Sequence, residues 1–171
     1  MTSKTAKAKG AERKQRLMEQ IVSKDNLNAA YLQVVRNKGA AGVDGMNVEE
    51  LGAYLWENGE NIREQLKTRK YKPQPVRRVE IPKPDGGTRK LGVPTVVDRF
   101  VQQAVLKALE MMNDGHNWIV DIDLAKFFDT VDHDKMMTIF GRTIKDGDVI
   151  SVVRKFLVSG VMIDDEYEDT I

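Results

Sequence analysis

The 171-residue chain has no cysteine and only two histidines, His116 and His133. The first absence excludes disulfides and thiolate metal sites, and the second leaves too few imidazoles for a histidine-rich metal centre. No apolar run approaches the roughly eighteen residues that a membrane span needs, and no signal-peptide pattern opens the chain. These features lead us to expect a cytoplasmic protein with no membrane partner. The apolar fraction is 41%, slightly low, and the charged fraction is 31%, which is high. One domain, or a piece of a larger one, suits this length, and it is long enough to bury a core.

A net charge of +1 conceals strong segregation. Lys4, Lys7, Lys9, Arg13, Lys14 and Arg16 stand against the single Glu12. Residues 63–90 carry ten lysines and arginines against Glu64, Glu80 and Asp85. Acids crowd the last residues, Asp164, Asp165, Glu166, Glu168 and Asp169. A basic mid-chain block favours a polyanion partner through counterion release. A solvated charged face is the bland alternative.

Residues 1–24 read as a basic arm or first helix, and 25–70 as a helical region. Leu17, Ile21, Leu27, Tyr31, Val34 and Val35 fit helical spacing with a break near Ser23, where Ser23 or Asp25 could cap the next helix. Residues 37–45 form a glycine-rich loop, and Val48–Leu55 and Asn61–Thr68 read as two short helices. Pro73 and Pro75 then rule out helix, since each locks φ and lacks a donor. Val76–Ile81 alternates as a strand, Lys83-Pro84-Asp85-Gly86-Gly87 is a hairpin turn, and 89–93 is the returning strand. Val97–Met112 is a helix. Asp134–Arg142 and Asp148–Val158 are further helices, and Val161–Ile163 starts a strand.

Trp118 to Leu124 alternates with period two, which puts Asp121 and Asp123 on one strand face. Two carboxylates so placed repel unless a cation or basic group lies between them. Hard oxygens of this kind are what Mg²⁺ takes. The stretch therefore suggests a metal site for phosphoryl transfer, although acids also end strands as plain polar turns.

Residues 71–104 resemble the fingers hairpin of bacterial group II intron reverse transcriptases (intron-encoded maturases). Asn37–Gly45 is similar to that family's N-terminal extension, and Asp121–His133 to its first palm motif. The resemblance implies an α+β right-hand polymerase, with fingers hairpin and helix over 71–112 and a partial palm over 113–171. It also implies Mg²⁺ as cofactor and RNA template, DNA primer and dNTP as partners. The family motif, Asp with an aromatic five positions on, matches Asp123 and Phe128. Asp123 is then the catalytic carboxylate and Mg²⁺ ligand, with the Leu124 carbonyl as a second contact and Phe128 beneath the incoming sugar. Lys83 and Arg89 resemble the pair that grips the triphosphate, and Arg77 and Arg78 are expected at template phosphates or in solvent.

The chain also departs from the family. It contains neither the Tyr/Phe-Ala-Asp-Asp strand nor the Pro-Gln-Gly-Gly turn. About thirty residues that relatives carry between Ala104 and Leu109, on the same resemblance, are missing. By itself the chain is not expected to polymerise DNA, and a non-catalytic intron-RNA-binding module is the alternative. A third reading, a haloacid-dehalogenase phosphatase with Asp121 as nucleophile, is weakened by Ala125, where that motif wants Thr or Val.

Overall fold

A computed structural model describes residues 17–84, 86–112, 131–164 and 166–169. It has a mixed α+β architecture of helices and a four-stranded sheet, with the main hydrophobic core among the helices. Residues 17–21 are helical and turn at Val22 and Ser23 into α1 (Lys24–Asn37). The expected break lies there, and Ser23 is the cap: its hydroxyl accepts from the Asn26 amide at 3.3 Å. A serine in this position satisfies one of the amides that a first helical turn leaves without a partner.

A 3₁₀ turn (Val48–Glu50) leads directly into α2 (Leu51–Lys67). Two short helices were expected here, Val48–Leu55 and Asn61–Thr68, with residues 56–60 between them, Asn58 and Gly59 included. The structure corrects this, because α2 runs through both residues. A glycine in a helix costs about 1 kcal/mol relative to alanine. That is too little to break a helix anchored by buried Leu51, Ile62 and Leu66. Asn58 turns its amide group back to the Tyr54 carbonyl at 3.1 Å, inside the helix.

The expected hairpin is present. β1 (Val76–Pro82) and β2 (Thr88–Val93) pair antiparallel, from Arg77 opposite Val93 to Pro82 opposite Thr88. Lys83 and Gly87 close the turn, with the Lys83 amide donating to the Gly87 carbonyl at 2.7 Å. Gly86 supplies the positive φ of 86°. α3 (Val96–Met112) follows and buries Phe100, Val101, Ala104, Val105 and Ala108 against α1. α4 (His133–Thr143) and α5 (Gly147–Leu157) are capped by Asp132 and Asp146. β3 (Val161–Ile163) and β4 (Glu166–Glu168) complete the described elements.

The sheet runs β2-β1-β3-β4, with β1 and β3 parallel through Val76 opposite Val161. The hairpin and the strands β3 and β4 therefore share one sheet. Polar ties fix α5 to the N-terminal helices. The buried Asp146 carboxylate accepts from the Met18 amide at 3.1 Å as well as from its own helix's amides. Lys155 donates to the Arg69 and Tyr71 carbonyls beyond the end of α2, and Arg69 pairs with Asp148. No helix among the described residues is long and apolar enough to cross a membrane.

Because Gly59 lies inside a continuous helix with nothing within 4 Å of where a Cβ would sit, Gly59→Ala should stabilise the fold. The expected gain is about 1 kcal/mol, read from urea denaturation midpoints at an unchanged slope. A loss would mean that α2 is not continuous through this residue.

Candidate nucleic-acid interface

The root of the hairpin hangs on one carboxylate. Asp98, only 2% exposed, sits in the first turn of α3. It accepts from the Tyr71 hydroxyl at 2.7 Å, the Thr95 hydroxyl at 2.7 Å and the Gln74 amide at 3.1 Å. The Thr95 hydroxyl in turn accepts from the Asp98 amide at 3.1 Å, so Thr95 caps α3. Tyr71 and Gln74 belong to the proline-interrupted segment that feeds β1, while Pro94 and Thr95 connect β2 to α3. Both ends of the hairpin are thereby tied to the same helix terminus.

Burial pushes the Asp98 carboxyl above the ordinary carboxylate range, partly offset by the three donors. Burial also raises Tyr71, helped by Asp98 beside it, so the phenol stays protonated and remains a donor.

The glycine-rich loop is stapled to this root from two sides. Arg99 donates to the Lys38 carbonyl at 3.1 Å and the Ala40 carbonyl at 3.0 Å. Arg77 donates twice to the Ala41 carbonyl, at 2.8 and 3.2 Å. Two glycines make the approach possible. A Cβ on Gly39, at φ 114°, would lie 2.3 Å from Arg99 Nη1, and one on Gly42 would lie 2.6 Å from the Thr95 Cα. The loop's carbonyls thus face inward onto arginines. Among the described residues, nothing accepts a hydrogen bond from the amides of residues 39–43. A row of such amides beside cations suits an anion.

The hairpin itself presents the expected cations. Lys83, Arg89 and Lys90 are exposed, and Arg77 and Arg78 are half-buried. Cross-strand partners share a face, so Arg89 lies with Ile81, Leu91 and Arg77, and Lys90 lies with Glu80 and Arg78. Arg77 and Arg78 therefore face opposite sides of the hairpin and cannot meet one surface together. Arg77 is moreover engaged with Ala41, which leaves Arg78 the freer of the two. Lys83 sits at the turn, one end of the Arg89 face.

The remaining expected site residues, Asp123, Leu124 and Phe128, lie outside the described residues, as do Asp121 and the basic arm 1–16. Among the described residues, no group of three or more acidic or histidine side chains converges as a metal site would. Sequence reasoning missed Asp98 and Arg99. The spacing Thr95-x-x-Asp98 before an apolar helix was the available signal, since it spells a helix start.

No family model matches the chain. Protein YkfC of Escherichia coli K12 is 32% identical to it over 181 aligned positions, covering 85% of this chain and 48% of YkfC. The group II intron-encoded protein LtrA of Lactococcus lactis is 28% identical, covering 91% of this chain and 31% of LtrA. A COX1/OXI3 intron 1 protein of Saccharomyces cerevisiae is 31% identical over 69% of this chain and 16% of its own length. The chain is a relative of the group II intron-encoded proteins, and it spans about half or less of the length of these relatives. An alignment of 181 positions exceeds the chain's 171 residues, so YkfC carries residues with no counterpart here. α3 runs unbroken past Ala104, where the shortening was expected.

The raised pKa of Asp98 gives a signed pH dependence. The folded state binds this proton more tightly than the unfolded chain, so the carboxyl's contribution to stability is greatest below its ordinary value. It falls as pH rises through the window from the ordinary value of 3.8 to the raised folded value. The stability of the wild type relative to Asp98→Asn, from urea titrations between about pH 4 and 7, should therefore shrink as pH rises. Growth of that difference with pH would mean that the three hydrogen bonds outweigh burial.

Proposed function

We propose that this chain is the fingers and first part of the palm of a group II intron-type RNA-directed DNA polymerase. Such an enzyme copies intron RNA and assists the intron's splicing and mobility. The relationship to LtrA-type proteins carries the reading, and the geometry of the basic hairpin beside the stapled loop supports it.

Each residue then has a role that its chemistry suits. Lys83 and Arg89, on a projecting hairpin, neutralise charge on an incoming nucleotide's phosphates. The amides of residues 39–43 and the Arg78 side chain meet the RNA backbone, where main-chain N–H groups and arginines both serve as phosphate donors. Phe128 packs beneath the incoming sugar. Asp123 and the Leu124 carbonyl offer the hard oxygens that Mg²⁺ prefers, and the ion, when bound, neutralises phosphate charge. On this reading 25–70 is the N-terminal extension, 71–112 the fingers and 113–171 the partial palm.

One observation favours a second reading. The hairpin's exposed cations, Lys83, Arg89 and Lys90, attract a polyanion without any metal ion. A non-catalytic intron-RNA-binding module would need no more. Primer extension with dNTP and Mg²⁺, by a protein in which this sequence is continued through a complete palm, separates the two: incorporation that Asp123→Ala abolishes supports the polymerase, and none with intact RNA affinity supports the module.

RNA affinity is the shared requirement. Binding to a structured RNA, followed by fluorescence anisotropy, should weaken steeply with salt. The Lys83→Glu/Arg89→Glu double variant should bind roughly tenfold more weakly, with a salt slope shallower by about two. Arg77 is unsuitable for this comparison because its removal would also free the loop. Binding that is indifferent to salt and to these reversals would contradict both readings.

A further inference from the structure

The face formed by α1 and α2 has a different chemistry from the basic hairpin. A groove of about 480 Å³ runs between the two helices. Leu27, Tyr31, Leu55, Ile62 and Phe100 give it an apolar floor. Trp56 stands at its edge with 91% of its surface exposed. Leu32 and Val35, at 57% and 36% exposure, extend the apolar strip along α1. Exposed apolar residues scattered singly are ordinary, but an indole, a groove and a contiguous aliphatic strip mark a contact surface.

We propose that this groove docks an amphipathic helix of a partner protein, one whose apolar stripe is flanked by basic residues. Charge selects the occupant. Exposed Glu57, Glu60 and Glu64 recur at i, i+3 and i+7 and so line one side of α2, with Glu49 and Glu50 at its start. The cations nearby do not balance them. Arg63 is engaged by Glu60 at 2.7 Å and by the Val22 carbonyl at 3.0 Å, Lys67 lies beyond the groove in the last turn of α2, and Lys24 on the opposite wall is the other cation lining the groove. An acidic margin repels RNA phosphates and attracts lysines and arginines. The floor has the form that helix-in-groove recognition uses, with a partner's i, i+3/i+4 and i+7 side chains entering an apolar trough. Trp56 is placed to close over them as the dominant anchor.

The test uses three labelled probes against the full chain. Two synthetic helical peptides share a leucine stripe; one carries lysines on its polar face and the other glutamates. The third probe is a single-stranded RNA oligonucleotide. A Trp118→Phe background leaves Trp56 as the one indole of the two in the chain. The lysine peptide should bind saturably, shift Trp56 emission to the blue and weaken with salt. Trp56→Ala should weaken it at least about tenfold, as the loss of a tryptophan anchor does. The Glu57→Lys/Glu60→Lys/Glu64→Lys variant should weaken it similarly and admit the glutamate peptide. These are exposed positions, so circular dichroism should report an unchanged fold.

Equal binding of the two peptides, or no saturable binding, would overturn the proposal. So would a blue shift of Trp56 with RNA, which would make the groove a stacking platform. Concentration-dependent self-association in sedimentation that Trp56→Ala removes would assign the groove to a second copy and overturn it as well.

Discussion

A single buried carboxylate connects every part of the candidate interface. Asp98 gathers Tyr71, Gln74 and Thr95, three residues that bracket a projecting hairpin in the sequence. Without this acceptor the buried Tyr71 and Thr95 hydroxyls would be left without it as a partner, and an unsatisfied buried donor costs about 1–3 kcal/mol. The same helix terminus carries Arg99, whose guanidinium holds two carbonyls of the glycine-rich loop. Arg77, from the first strand of the hairpin, holds a third. Hairpin, loop and α3 therefore form one unit, and the position of the exposed cations at the hairpin turn depends on its root.

That unit is electrostatically polarised. Arginines draw the carbonyls of Lys38, Ala40 and Ala41 inward, and the exposed cations Lys83, Arg89 and Lys90 are what the hairpin offers to an anion. Glu57, Glu60 and Glu64 lie apart from them along α2, while Glu80 faces Lys90 on the hairpin itself. The near-neutral net charge of +1 thus describes no particular face of the molecule. On the proposed function RNA meets one side, and on the docking proposal a basic helix meets another.

Local chemistry was legible in the sequence, and tertiary chemistry was not. The hairpin followed from alternation around a glycine-rich turn, and the start of α1 from Ser23 as a cap. α2 was split in two at residues 56–60, a stretch that includes Asn58 and Gly59, both weak helix formers; packing of Leu51, Ile62 and Leu66 overrides that propensity. The parallel pairing of β1 with β3 has no local signature, since its partners lie more than eighty residues apart. Lys83 and Arg89 were legible as exposed cations on a turn. Asp98 was not, because an acid early in a helix ordinarily caps it in solvent, and only the fold reveals that Tyr71 and Gln74 reach it. The adjacent arginines 77 and 78 looked equivalent in the sequence, but strand geometry sends them to opposite faces.

The claim that Asp98 roots both hairpin and loop is tested most directly by amide hydrogen exchange in the Asp98→Ala variant. Removing the carboxylate should speed exchange together in β1, in β2 and at the first turn of α3, and it should free the loop's contacts with Arg77 and Arg99. α4 and α5, tied through Asp146 and Lys155 instead, should keep their wild-type protection. Faster exchange confined to the first turn of α3, with the hairpin as protected as before, would show that Asp98 is a helix cap and nothing more.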